Sequence, residues 1–213
     1  MRAQWQAKAA LVKQAWKQVI ITKVHMQAAA LQAVGQDQAP LTMMIRKITS
    51  GDRTNIEAQA ARYYWPRMMG AEFRRNSTMG QENALLNYGY TVLRAATARA
   101  VVAAGLHPTI GLFHANRGNA FALADDLMEP FRPLVDCTVR SIMRTRGGEV
   151  DTKAKQTLAG LIAQDLPLGD GLSPVSVSLM KLATSLGQSF EAGQLSLALP
   201  KPPESLVLAG LGQ

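Results

Sequence analysis

The sequence predicts an all-α fold. Apolar residues recur at spacings of three and four through most of the chain, strand alternation is absent over any useful length, and Gly and Pro fall where those patterns break. Residues 3–34, "AQWQAKAALVKQAWKQVIITKVHMQAAALQAV", are rich in Ala, Gln, Lys and Leu and predict one long helix ended by Gly35. A shorter helix is expected over Leu41–Thr49. "SGD" then breaks the chain, Asp52 or Thr54 can cap "TNIEAQAARYYW", and Pro66 limits that helix to about three turns. From Gln81 to Ala104 a long helix stops at Gly105, with Leu86, Tyr90, Leu93, Thr97, Val101 and Ala104 along one face. "HPTIGLF" reads as a loop. A helix begins near Ala120, is interrupted by Pro130 and Pro133, and resumes in "LVDCTVRSIMRTR" before the turn "RGGEVD". "TKAKQTLAGLIAQDL" and "SPVSVSLMKLATSLGQSFEAG" are helical, which carries the helical body to residue 195. Residues 196–213 read as a Pro-rich tail. There is no internal repeat.

A chain of 213 residues with 47% hydrophobic content can bury a substantial core, as one domain of good size or two small ones. A net charge of +8 asks for a polyanionic partner, either nucleic acid or an acidic membrane surface. No apolar run reaches the roughly 20 residues of a spanning helix, and the N-terminus lacks the charged head and apolar stretch of a signal peptide. These features favour a cytoplasmic protein. Cys137 stands alone, which excludes an intrachain disulfide and a cysteine-based zinc site, and three histidines exclude a His-rich one.

Phosphate-binding glycine loops, dinucleotide fingerprints, zinc-protease His pairs and serine elbows are all absent. An oxygen-rich group remains. Asp126 and Glu129, three apart, share a helix face, while Asp125 points roughly 100° away and can cap or meet solvent. His114 lies in a loop able to fold over that face. One imidazole with carboxylates suits Mg²⁺ or Mn²⁺, and zinc also accepts it. Acidic residues at a helix start are common without any ion, so spacing leaves both readings open. Glu57, beside the apolar stripe Ile56, Ala60, Ala61 and Tyr64, is a third candidate ligand; otherwise it pairs with Arg53 or Arg62 or is solvated.

Basic residues gather around this group: Arg62, Arg67, Arg74 and Arg75, then Arg94 and Arg99, then Arg117 and Arg132. Guanidinium groups near a carboxylate metal site suit phosphates. Tyr63, Tyr64 and Trp65 can stack on a splayed base, though such a run more often lies partly in the core. Asn83, Asn87 and Tyr88 are polar for mid-helix positions and either support the site or bridge to a neighbouring helix.

The stretches "GDRTNIEAQAARYYW", "NALLNYGYTVLRAATARAVVAAGLHPTIGLFH" and "LADDLMEPFRPLVD" together resemble the helical catalytic domain of the CRISPR spacer-acquisition integrase, in the branch found beside single-protein RNA-guided nucleases. The resemblance covers about residues 5–195. Its middle motif, Asn-x-x-x-Asn-Tyr-x-Tyr followed by Gly-Leu-x-Pro-x-x-Gly-x-x-His, is long and specific. It implies Glu57, His114 and Glu129 as ligands of Mg²⁺ or Mn²⁺, with Asp126, Asn87 and Tyr88 in support and Arg67, Arg74, Arg75 and Arg117 on DNA. The implied activity is integration: a 3′-hydroxyl on captured double-stranded DNA attacks a phosphodiester of the CRISPR repeat. The implied partners are a second copy of the chain and a small CRISPR adaptation protein. The family's β-rich N-terminal domain has no counterpart here, since the sequence opens on the first catalytic helix. A DNA-binding subunit without catalysis, and a nuclease of branched DNA, are therefore the alternatives.

Overall fold

The computed structural model describes residues 1–76, 80–114, 116 and 118–203. Helices dominate, as the periodicity predicts, but the first is split into α1 (Arg2–Trp5) and α2 (Ala9–Ala33). The reason is tertiary. Buried Gln4 donates to the carbonyls of His107 and Ile110 and accepts from the His107 N–H, so the chain turns at once to meet that distant loop. Helix α3 (Ala39–Ile45) starts before the expected Leu41, because Pro40 suits a first turn.

Helix α4 (Ile56–Met69) runs on through Pro66, past the stop that a local reading of proline predicts. Proline there forgoes one backbone bond, and the burial of Tyr64 and Met68 on either side offsets the loss. Its start is fixed by two residues. Asn55, in the left-handed region, accepts from the Ala58 N–H, and the Asp52 carboxylate accepts from the Ile56 and Glu57 N–H groups at 2.9 Å.

Helix α5 (Gln81–Ala103) ends in a Schellman motif: Gly105, at φ +71°, donates to Val102, and Leu106 donates to Val101 while burying its side chain. Helix α6 (Ala122–Leu127) leads into a 3₁₀ turn (Glu129–Phe131) and helix α7 (Arg132–Arg146), with Pro130 and Pro133 at tolerated first-turn positions. Helix α8 (Thr152–Gly160), capped by Asp151, gives way to a second 3₁₀ turn instead of continuing to Leu166. Beyond it, strands β1 (Asp165–Leu168) and β2 (Gly171–Pro174) form an antiparallel hairpin that the sequence did not predict, since four-residue strands are too short to display alternation. Helix α9 (Val175–Ala192) ends at Gly193.

Helix α5 packs against α6, α7, α8 and α9, and α2 packs against α3, α4, α7 and the Glu129–Phe131 turn. Helices α6 and α7 therefore lie between the two long helices, and the turn joining them is pressed onto α2. The close fit of α5 depends on Gly89, where a Cβ would stand 2.5 Å from Val135 and 3.1 Å from Leu158. Residues 196–203 run back along α9: the Ser196 and Ala198 N–H groups donate to the Ser189 and Ser185 hydroxyls, and Leu197, Leu199 and Pro200 pack inward. The rest of the expected tail lies outside the described residues.

Candidate active site

Three elements meet at one charged centre. Glu57 stands in the first turn of α4, Glu129 begins the 3₁₀ turn after α6, and Lys23 comes from the middle of α2. The Lys23 ammonium lies 2.6 Å from Glu57 Oε1 and 2.6 Å from Glu129 Oε2. Those two oxygens are thus at most 2.6 + 2.6 = 5.2 Å apart. Arg132, one turn on, reaches Glu129 Oε1 at 2.8 Å. Two carboxylates face two cations, so the centre is close to neutral and tolerates burial. Burial opposes ionisation of Glu129, and the charges of Lys23 and Arg132 outweigh it, holding its carboxyl below the ordinary value. Burial likewise pulls on Lys23, but Glu129 and Glu57 win and hold its ammonium above the ordinary value.

His114 is fixed by Asp126. The fully buried Asp126 carboxylate accepts from the Leu112 N–H (2.6 Å) and the Phe113 N–H (2.9 Å), and contacts His114 Nδ1 at 2.5 Å. Taking Nδ1 as the protonated nitrogen, which suits a carboxylate partner, leaves Nε2 as a free lone pair. The hydrogen bond to Asp126 raises the His114 pKa against the pull of burial, and the charges of Glu129 and Glu57 add to the rise. Gly111 makes this loop possible: a Cβ there would stand 2.4 Å from the His114 carbonyl and 2.8 Å from Asp126 Oδ2. On the outer side Phe113 stacks on Trp16 at 4.7 Å, with His114 edge-on to both.

A cleft of about 220 Å³ adjoins Glu129 and is lined by Lys23, Gln27, Trp65, Arg75, Arg132 and Asp136, among others. Arg75 is aimed by a polar clamp on α5, donating to Asn83 Oδ1 and Asn87 Oδ1 at 2.7 Å each. Asn87 thus supports a guanidinium that lines the cleft. Tyr88 is half-buried and packs against the core. Beneath the cleft, buried Asp136 accepts from Tyr64 Oη (2.9 Å) and Tyr90 Oη (2.5 Å). Burial raises its pKa to about 6, against the two hydroxyls and the charges of Arg132 and Lys23.

The structure joins Glu57 to Glu129 through Lys23, joins His114 to Asp126, and sets Arg75 in the cleft beside Glu129. Glu57 pairs with neither Arg53 nor Arg62 but with Lys23. Asp125 neither caps nor meets solvent freely: Arg94 holds it through Nε at 2.6 Å, and Asn119 joins them. Arg67 lies 3.6 Å over the Tyr63 ring, and exposed Arg74 donates to the carbonyls of Ala71 and Phe73. Arg117 lies outside the described residues. Of the Tyr-Tyr-Trp run, Tyr64 is core. Lys23 and Asp136 were missed. Lys23 shares a stripe with Trp16, Ile20 and Gln27 at helical spacing, so a lysine on an apolar face was the available signal.

As a donor set, two carboxylates and one imidazole suit a hard divalent cation. The Glu129 Oε2 atom is buried without a well-formed hydrogen bond, and an ammonium bridges the two carboxylates where such a cation would sit. The residues therefore fit a metal. They do not form a ready-made cage, since no three His, Cys, Asp or Glu side chains among the described residues close on a common point.

These features define a helical domain built around a partly buried carboxylate centre, with an exposed imidazole near it and a guanidinium-lined cleft beside it. Residues 2–162 match the profile of the family described as CRISPR associated protein Cas1, and the chain belongs to that family. It is 44% identical over 131 residues to the CRISPR-associated endonuclease Cas1 of Neisseria meningitidis serogroup C, covering 61% of this chain and 43% of that protein. A Pyrobaculum aerophilum relative, named CRISPR-associated endonuclease Cas1 2, is 30% identical over 140 residues, covering 63% and 47%. The chain thus spans less than half the length of these two relatives. Among solved structures, a casposase bound to integration product aligns with a TM-score of 0.78 at 19% identity, over 92% of this chain and 69% of that one. A partial Cas6-RT-Cas1–Cas2 complex aligns with a TM-score of 0.75 at 20% identity, over 95% and 73%. At such identities the likeness is one of fold. No helix among the described residues is long and apolar enough to cross a membrane.

Proposed function

We propose that this chain is the catalytic part of a metal-dependent DNA integrase of CRISPR adaptation, which joins captured double-stranded DNA to the repeat array by transesterification. The observation that carries the reading is the meeting of Glu57 and Glu129 about one cationic position, with His114 coupled to both and its Nε2 left free by Asp126.

In the proposed reaction a 3′-hydroxyl oxygen attacks a phosphodiester phosphorus. One P–O bond forms, one breaks, and the proton of the attacking hydroxyl ends on the departing oxygen. No protein nucleophile is needed. Glu57, His114 and Glu129 would hold Mg²⁺ or Mn²⁺, which when bound stabilises charge on the phosphoryl oxygens and acidifies the attacking hydroxyl. The chain's own groups do the positioning. Asp126 keeps the imidazole in one tautomer and one orientation. Arg75, pre-aimed by Asn83 and Asn87, and Arg132 present guanidinium groups to flanking phosphates in the cleft. Arg67 and Arg74, with Arg117, extend the basic surface along the DNA backbone, in keeping with a net charge of +8. The assembly is a homodimer with a small adaptation partner, a reading supported by the Cas1–Cas2 complex among the structural neighbours.

The test incubates the protein with a 3′-hydroxyl duplex and a repeat-bearing plasmid in Mn²⁺ or Mg²⁺. Joined products that disappear in His114→Ala and Glu129→Ala are expected. DNA binding with neither joining nor cleavage, unchanged by those substitutions, refutes the reading in favour of a non-catalytic DNA-binding subunit. Cleavage of branched DNA without joining reduces it to a nuclease.

A further inference from the structure

Lys23 is the group at this centre that the reaction above does not use. Its ammonium is buried on the apolar stripe of α2, far from where a lysine is normally solvated. Glu129 already has Arg132 as a counter-ion, whereas among the described residues Glu57 has no ion pair except Lys23. An ordinary structural ion pair would need one carboxylate. This ammonium instead bridges two, from separate elements, at 2.6 Å each. That separation exceeds the roughly 2.0–2.1 Å of a Mg²⁺–oxygen bond by only about half an ångström. An ammonium and a divalent ion cannot share the space between the same two oxygens. Room for the displaced lysine exists, because Lys23 also lines the cleft of about 220 Å³ on the side of Gln27 and Trp65.

We propose that Lys23 is a tethered placeholder cation: it holds Glu57 and Glu129 in register before a divalent ion binds, gives way to that ion, and so sets the metal affinity of the site. This rests on the metal-site reading given above. Two consequences follow from the charge balance. Without Lys23 the two carboxylates repel, so the metal-free protein is less stable. The same repulsion is relieved by a divalent ion, and no ammonium must be displaced, so the ion binds more tightly.

The test is Mn²⁺ binding, read by the EPR signal of free Mn²⁺ at constant ionic strength, together with thermal melting with and without Mn²⁺. Wild type is compared with Lys23→Met, Lys23→Arg and, as a control for net charge, Lys13→Met at an exposed position of α2. Lys23→Met is expected to melt below wild type without metal, to bind Mn²⁺ about tenfold more tightly or better, and to gain more in melting temperature from it. Lys23→Arg restores weaker binding, and Lys13→Met behaves as wild type. Should Lys23→Met fold only with Mn²⁺ present, the proposal is supported directly; should it fail to fold even then, Lys23→Gln is judged by the same criteria. Equal or weaker Mn²⁺ binding in the Lys23 variant overturns the proposal, and if Glu129→Gln abolishes that binding the metal-site reading still stands. Absence of Mn²⁺ binding in every form overturns both.

Discussion

Replacing Asp126 by Ala removes the acceptor that ties the Gly111–His114 loop to α6. Three short contacts go, from the N–H groups of Leu112 and Phe113 at 2.6 and 2.9 Å and from His114 Nδ1 at 2.5 Å, and a longer one from the His114 N–H at 3.4 Å goes with them. Hydrogen bonds to a charged acceptor are worth about 1.5–3 kcal/mol each, so the three short ones sum to about 5–9 kcal/mol. Removing the carboxylate also removes the cost of burying it, and single substitutions seldom exceed about 4–5 kcal/mol. The expected loss is about 3–4 kcal/mol in urea unfolding. Asp126→Asn separates stability from chemistry. Its amide oxygen can keep the two backbone donors, while its NH₂ faces Nδ1 and drives the imidazole proton to Nε2, the nitrogen proposed to ligate. Because His114 is raised in the folded state, chiefly by Asp126, the stability it contributes is fully present below its ordinary pKa of 6.5 and is lost as pH rises through its folded value. The wild type should therefore exceed Asp126→Asn by more at pH 6 than at pH 8.5, and NMR titration should place the His114 pKa lower in the variant. A loss below about 1 kcal/mol in Asp126→Ala, or an unchanged His114 titration in Asp126→Asn, would refute the proposed coupling.

Asp136 gives a pH dependence of the same sign, here from an acid. Its folded pKa of about 6 lies above the ordinary 3.8, so the folded state binds the extra proton between those values, and the associated stability is lost as pH rises through about 6. Two units correspond to about 3 kcal/mol; the stability difference between wild type and Asp136→Asn should shrink by up to that amount from pH 4 to pH 7, and a flat difference would contradict the assignment. Gly111→Ala forces a Cβ against the His114 carbonyl and Asp126, with an expected cost of about 1–3 kcal/mol and a lowered His114 pKa. Gly118→Ala, whose Cβ meets Asn116 Oδ1 at 3.6 Å, should change neither stability nor titration.

How far the fold was legible depended on whether a signal was local. The apolar face of α5 and its glycine stop could be read because helix period and C-cap geometry lie within adjacent residues. The break after α1 could not, because its cause is a Gln4 amide held by a loop about a hundred residues away. Pro66 misled for the same reason: a local rule predicts a stop, and the packing of Tyr64 and Met68 overrides it. The β1–β2 hairpin is short enough that its pairing partner, not its own sequence, defines it.

The site divides along the same line. Glu57, His114 and Glu129 could be nominated because their side-chain chemistry is unusual for their surroundings, and the resemblance of three separate stretches to a known family joined them across the 72 positions from Glu57 to Glu129. What no spacing carries is which opposite charge faces each carboxylate. Glu57 had two arginines nearby in sequence and takes neither, because they lie on the solvent side of α4 or before it, while its own side chain turns toward α2. Local reading offers partners within a helical turn or so; a buried centre takes its counter-ions from whatever element the core brings opposite. For this protein that element is α2, which packs against the Glu129 turn with Trp16, Ile20 and Phe131 all buried, and a lysine whose one signal was its place on an apolar face becomes the cation on which both carboxylates close.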